Sequence, residues 1–249
     1  MKSFHQHMQA AKRILRTATG KDLFVKTQVD CSTVILGNAH AKWGICTREL
    51  RPESVVYSFG IGQDISFDIE LIEQFGLTVH AFDPTPRSKQ WLSRQSLPEK
   101  FIYHEYGIAP YDGTALFNPP QNEFHVSYSM LSNGNPADSA VAAEVFSLTT
   151  IMKKLGHAKI DVLKMDIEGA EYQVIPSILS SRVSISQLLV EFHHRQAGIG
   201  AQSTRETLQR LNEAQFRIFY ISDSGEEFGF LNTREPAALS SCQPSGRHI

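Results

Sequence analysis

No apolar run in the chain approaches the roughly 20 residues that a membrane-spanning helix needs, so no bilayer-spanning segment is expected. Neither sign of charge dominates: 24 Lys and Arg face 26 Asp and Glu, a formal charge of −2. That balance argues against a polyanion-binding footprint and against nucleic acid as an obligate partner. Cysteine is scarce. Cys31, Cys46 and Cys242 are too few for a four-thiolate zinc site and one too many for a closed disulfide set. Reduced thiols and a cytoplasmic location are the expectation, although the spacing of Cys31 and Cys46 permits one bridge in an exported chain. No apolar signal-peptide core is read before them, and no internal repeat is visible.

What is present is an ordinary globular composition, 41% hydrophobic and 20% charged, in 249 residues that can bury a sizeable core as one large or two small domains. No acid precedes Asp22, so Lys2, Lys12, Arg13 and Arg16 stand unopposed where Phe4, Met8, Ala11 and Leu15 share one helical face. A docked or frayed terminal helix is expected, with weak contact to a membrane surface as the lesser reading.

From Val55 onward, short apolar runs alternate with helix-patterned ones, the signature of βαβ units. Val55–Phe59, Thr78–Phe82, Phe101–Tyr106, Ile160–Met165 and Leu188–Phe192 read as strands. Helical spacing runs from Ile65 through Ile69 and Ile72 to a stop at Gly76, and recurs over 169–179 and 204–214. Two final runs, Arg217–Ser222 and Phe228–Leu231, suit a closing antiparallel pair. Between Asn118 and Asp138, Pro119, Pro120, Asn133, Gly134, Asn135 and Pro136 mark a long connection: a lid, a binding loop or a plain exposed hairpin. The tail from Arg234 is expected to be poorly ordered.

Three constellations fall at strand ends, where open α/β sheets bind ligands. Gly60-Ile61-Gly62 joins a strand to a helix, and its bare backbone lets a ligand approach. The dinucleotide fingerprint needs a third Gly where this chain has Ile65, which disfavours a pyrophosphate. Asp83, some twenty residues on, can accept hydrogen bonds from both hydroxyls of an adenosine ribose. Asp166 ends the fourth strand, followed by Glu168 and Glu171, which the dipole of the next helix would also explain. The third group is Glu191-Phe-His193-His194-Arg195; alternation sends the two histidines to different sides, and His193 is the candidate base.

The segments Val55–Phe67, Ala81–Pro86 and Ile160–Glu171, the last with its Glu168-Gly-Ala-Glu171, resemble the FkbM family of S-adenosylmethionine-dependent methyltransferases over roughly Val55 to Ala214. The resemblance implies a class I methyltransferase fold, α/β and Rossmann-like, whose seven-stranded, mostly parallel sheet ends in an antiparallel hairpin. It implies S-adenosylmethionine as cofactor, with Gly60 and Gly62 facing its methionine part, Asp83 its ribose and Asp166 the rim where donor and acceptor meet. It further implies O-methylation of a hydroxyl on a sugar or natural-product acceptor. Two departures stand out: Ser58 replaces the acid many members carry two residues before the first Gly, and Asp64 replaces a small residue. The contact to the cofactor's amino group is therefore expected from Asp64 or through water. The segment Gly37–Cys46, with Trp43, resembles the N-terminal extension of a subgroup of the methyltransferase-like protein 24 kind.

The chain is thus expected to divide into an extension over 1–54 packed on the core, a methyltransferase domain over 55–233 and a tail over 234–249. His193 and Asp166 are rival bases, and a divalent metal on Asp166, Glu168, Glu171 and His193 is judged unnecessary, because a base suffices to activate an alcohol in a desolvated pocket. The alternatives are a nicotinamide-dependent dehydrogenase, which the missing third Gly opposes, and a cofactor-binding protein or scaffold without catalysis.

Overall fold

The computed structural model describes residues 15–39, 41–119, 130, 140–196 and 198–234. The expected helix positions Phe4, Met8 and Ala11, most of the Asn118–Asp138 connection, and the tail beyond Arg234 with Cys242 lie outside these residues.

A hairpin comes first, β1 (Thr33–Leu36) and β2 (Trp43–Cys46), with Leu36 opposite Trp43. Then follow β3 (Val55–Phe59), α1 (Ser66–Phe75), β4 (Thr78–Phe82), α2 (Pro86–Leu92) and β5 (Phe101–His104). A small sheet of β6 (Gly107–Ile108), β7 (Gly113–Phe117) and β8 (Val141–Phe146) precedes α3 (Leu148–Leu155), β9 (Lys159–Met165), α4 (Glu171–Ser181) and β10 (Ser184–Glu191). Helix α5 (Ala201–Glu213) and the pair β11 (Phe216–Ile221) and β12 (Glu227–Asn232) close the chain.

The main sheet has seven strands in the order β11-β12-β10-β9-β3-β4-β5. All its pairings are parallel except those of β12, which runs antiparallel to both β10 and β11. This is the class I methyltransferase arrangement. From central β3 the chain winds outward through β4 and β5, then returns to lay β9 and β10 on the other side. The carboxyl ends of β3 and β9 therefore border the crevice where the strand order reverses.

Strand β3 is buried on both faces, as a central parallel strand must be. Tyr57 and Phe59 join Phe82, Met165 and Phe192 in the core on one side, while Val56 joins Leu71, Leu77 and Val79 on the other. Helix α1 covers that second side with Phe67, Leu71 and Ile72 and stops at Gly76, whose N–H still donates to the Ile72 carbonyl while its left-handed φ of 64° turns the chain out of the helix.

The β1–β2 hairpin adds Leu36, Trp43 and Ile45 to the second core. Buried Gln187 of β10 fastens it, accepting from the Cys46 N–H at 3.0 Å and donating to the Cys46 carbonyl at 2.7 Å. A disulfide joins Cys31 to Cys46, which corrects the expectation that these thiols are reduced. The long connection leaves and re-enters the small sheet where Phe117 of β7 opposes Val141 of β8.

Candidate active site

The end of β3 and the end of β9 meet almost without a gap. The Asp166 N–H donates to the Phe59 carbonyl at 3.1 Å, and a Cβ placed on Gly60 would lie 1.6 Å from the Asp166 carbonyl oxygen. Gly60, at φ 74°, is thus required by its own neighbour, whereas around Gly62 (φ 53°) the space is open. Beside them lies a cavity of about 270 Å³. Gly60, Gly62, Asp64, Asp83 and Asp166 all line it, so five residues picked from three motifs border one space.

Four regions of its wall differ in chemistry. Phe82, Pro84, Thr85, Gly107 and Ile108 form a largely apolar end beside Asp83. The middle is the backbone of residues 60–62. Near Asp64 lie Trp43, Phe67, Asp68 and Lys164, and at the rim stand Asp166, Glu168, Glu191 and Glu227. Phe117 and Met130, at and within the long connection, also face the cavity.

Asp83 is buried and largely committed. Its Oδ1 accepts from the Thr85 N–H at 2.9 Å and the Thr85 hydroxyl at 2.6 Å, and its Oδ2 accepts from the Gly62 N–H at 3.0 Å. Burial pushes its pKa up against the lowering effect of these bonds. Of roughly four acceptor directions on a carboxylate, three are used, which leaves Oδ2 one for a ligand rather than the two that a paired ribose contact needs. Asp64 is committed as well: it accepts from the Ser66 N–H at 3.0 Å, ahead of α1, and from the Asn38 side-chain amide at 2.5 Å.

His193 backs this rim without itself lining the cavity. Its Nδ1 lies 2.5 Å from Oε1 of Glu171, the first residue of α4 and fully buried; its Nε2 lies 3.4 Å from Glu168 and 3.7 Å from Asp166. Burial opposes a charged imidazole, but Glu171 and then Asp166 and Glu168 outweigh it and hold the His193 pKa well above 6.5. Glu191 is pushed to about 9 by burial and by neighbouring Asp166, so it is protonated at neutral pH. Ligand atoms of Asp166, Glu191 and His193 lie within 4.8 Å of one another and could hold a cation. His194 points the other way, into a buried contact with Asp22 at 3.1 Å, while Arg195 pairs with Asp22 and Glu226.

Glu171, expected to serve the helix dipole or a metal, holds the imidazole. Two further features went unread in the sequence. Asp68 lies three residues after Ile65 and three before Leu71, on the buried stripe of α1, and that spacing was the available signal. Lys164 interrupts the apolar run of β9, which was equally visible.

The sequence model of the methyltransferase FkbM domain matches residues 55–218. Curated relatives include the probable methyltransferase-like protein 24 of Homo sapiens, 27% identical over 203 residues and covering 73% of this chain and 48% of that protein. The protein of the same name from Rattus norvegicus is 28% identical over 217 residues, covering 82% and 50%. The chain therefore spans about half the length of these relatives. Among solved structures, the fibrillarin pre-rRNA processing protein of Methanococcus jannaschii superposes with a TM-score of 0.45 at 10% identity, covering 84% of this chain and 86% of that one. A methyltransferase from Pyrococcus furiosus gives 0.37 at 11% identity, covering 89% and 97%. With the family model matched over well more than half its length, the chain belongs to the methyltransferase FkbM domain family, and its cofactor is S-adenosylmethionine.

Proposed function

We propose that the chain methylates a hydroxyl oxygen of a small polar acceptor, of the sugar or natural-product kind, at the rim formed by Asp166 and Glu191 and backed by His193. The cavity suits the cofactor: an apolar end for a base, one free acceptor direction on buried Asp83 for a ribose hydroxyl, and open space at Gly62. Bound there, S-adenosylmethionine supplies an electrophilic methyl on a sulfonium centre.

The observation that carries the reading is the buried Glu171–His193 pair beside Asp166. Glu171 occupies Nδ1 and fixes the tautomer, leaving Nε2 toward the carboxylates and the acceptor side. An alcohol must lose its proton as its oxygen takes the methyl group, and His193 Nε2 or the Asp166 carboxylate receives it. A scaffold needs no such group beside a cavity; a dehydrogenase could use the same base, and what opposes it is Ile65 where the dinucleotide fingerprint has its third Gly. Asp166, Glu191 and His193 could hold a metal, but a general base suffices to activate an alcohol in a desolvated pocket, so we read the reaction as metal-independent.

The test is incubation of methyl-labelled S-adenosylmethionine with a panel of hydroxylated acceptors. The product expected carries the label as a methyl ether, and formation persists after exhaustive chelation. Label found only on nitrogen or sulfur would replace the acceptor class. Activity lost to the chelator and restored by Mg or Mn would make the rim a metal site.

A further inference from the structure

Helix α1 buries an acid with one oxygen that its own fold leaves without a hydrogen-bond partner. Asp68 is 1% exposed, and its Oδ1 has no hydrogen-bond partner among the described residues. A buried acceptor left unmade costs free energy that folding alone has no reason to accept. A cation is nearby: Lys164 of β9 is 5% exposed, with its Nζ 3.5 Å from the Gly60 carbonyl and 4.9 Å from the centre of the Trp43 ring. Among the described residues no ion pair joins Lys164 to Asp68, although both line the same end of the cavity. A buried acid and a buried cation, lining one space but not joined, fit a ligand that brings an ammonium group and a carboxylate.

We infer that Asp68 and Lys164 together receive the α-amino acid end of the cofactor, Asp68 taking its ammonium group and Lys164 its carboxylate. The inference rests on the cofactor reading of the cavity and specifies which side chains hold the end opposite the ribose. It also resolves a departure in the sequence. Ser58 is buried on β3 without a carboxylate to offer, and Asp64 is held by Asn38 and the start of α1. The acid comes instead from the helix that follows the glycine turn. Trp43, from the hairpin, is the wall against which the Lys164 ammonium rests, so the extension before Val55 helps build the site.

Calorimetry on the full chain with two nucleosides tests this. S-adenosylhomocysteine carries the amino acid group; 5′-methylthioadenosine lacks it. Wild-type protein is expected to prefer the first. Asp68→Asn, which keeps the side chain's shape, should weaken S-adenosylhomocysteine roughly 10- to 100-fold, the size of a lost charge-assisted contact, and leave methylthioadenosine unchanged. Lys164→Met should do the same. The second nucleoside reports on folding, because a structural role for either residue lowers both affinities together. An Asp68→Asn protein that keeps the wild-type preference overturns the inference while leaving the cofactor reading intact. Failure of the wild type to bind either nucleoside overturns both.

Discussion

The fate of one proton decides what the rim can do. Glu171 holds His193 Nδ1 and, with Asp166 and Glu168, keeps its pKa well above 6.5, so the imidazole is charged near neutrality and becomes a free base as pH rises. Turnover should therefore climb on the alkaline side of neutrality. His193→Ala should remove that limb and lower kcat by roughly 10²–10⁴; an unchanged profile assigns proton removal to Asp166 or to water. Glu171→Gln keeps the shape but removes the largest source of negative charge on the ring, so the rising limb should move to lower pH. A limb that stays where it was would detach Glu171 from the base. Much at this scale was legible in the sequence, since Gly60, Asp83, Asp166 and His193 sit at strand ends, where chemistry is expected. Asp68 and Lys164 were not read, because a charged residue inside an apolar pattern is discounted as noise until its neighbours are known.

Among the elements, the central strands of the main sheet were legible because they are largely buried and read as mostly apolar runs. Thr78–Phe82 is β4 to the residue. The β1–β2 hairpin and the β6–β8 sheet were not, because β1, β7 and β8 are half-exposed and β2 and β6 have only four and two residues. A histidine cluster on β4 and β5 also escaped notice. His80 Nδ1 lies 3.0 Å from His104 Nε2, and His157, just past α3, is 2.8 Å from the Tyr57 hydroxyl. Burial, then mutual repulsion, lowers the pKa of His80 to about 4, and burial lowers those of His104 and His157. In the unfolded chain these rings bind protons near pH 6.5. The unfolded state therefore takes up more protons between that value and about 4, and stability present above pH 6.5 is lost as pH falls through this window. Melting temperature should drop over that range, and His80→Phe, which keeps a ring in the stack, should shallow the drop. A slope unaltered by the substitution would place the acid sensitivity elsewhere.

Taken whole, the molecule couples a family methyltransferase domain to a hairpin that contributes Trp43 to the cavity wall. The alternation of its runs showed βαβ units, and the class I fold was what the resemblance to the FkbM family implied. How the preceding residues dock could not be read, because it depends on contacts across long sequence separations such as Gln187 with Cys46. The Cys31–Cys46 bridge ties the hairpin to the segment before it and favours an oxidising compartment over the cytoplasm expected from cysteine scarcity. A digest without reductant should yield the two cysteine peptides linked; free thiols at both positions in freshly isolated protein would restore the cytoplasmic reading.

The central claim is that the cavity from Asp83 to the Asp166 rim is where the cofactor binds. Titration of S-adenosylhomocysteine and NAD against the wild type and Asp83→Ala, with melting temperatures taken alongside, tests it most directly. The account predicts that the wild type binds the homocysteine nucleoside and not NAD. It predicts a loss of roughly 10- to 100-fold in the folded variant, the value of one charge-assisted ribose contact. Binding of NAD as tight as that of S-adenosylhomocysteine, or an affinity that Asp83→Ala leaves untouched, would contradict it.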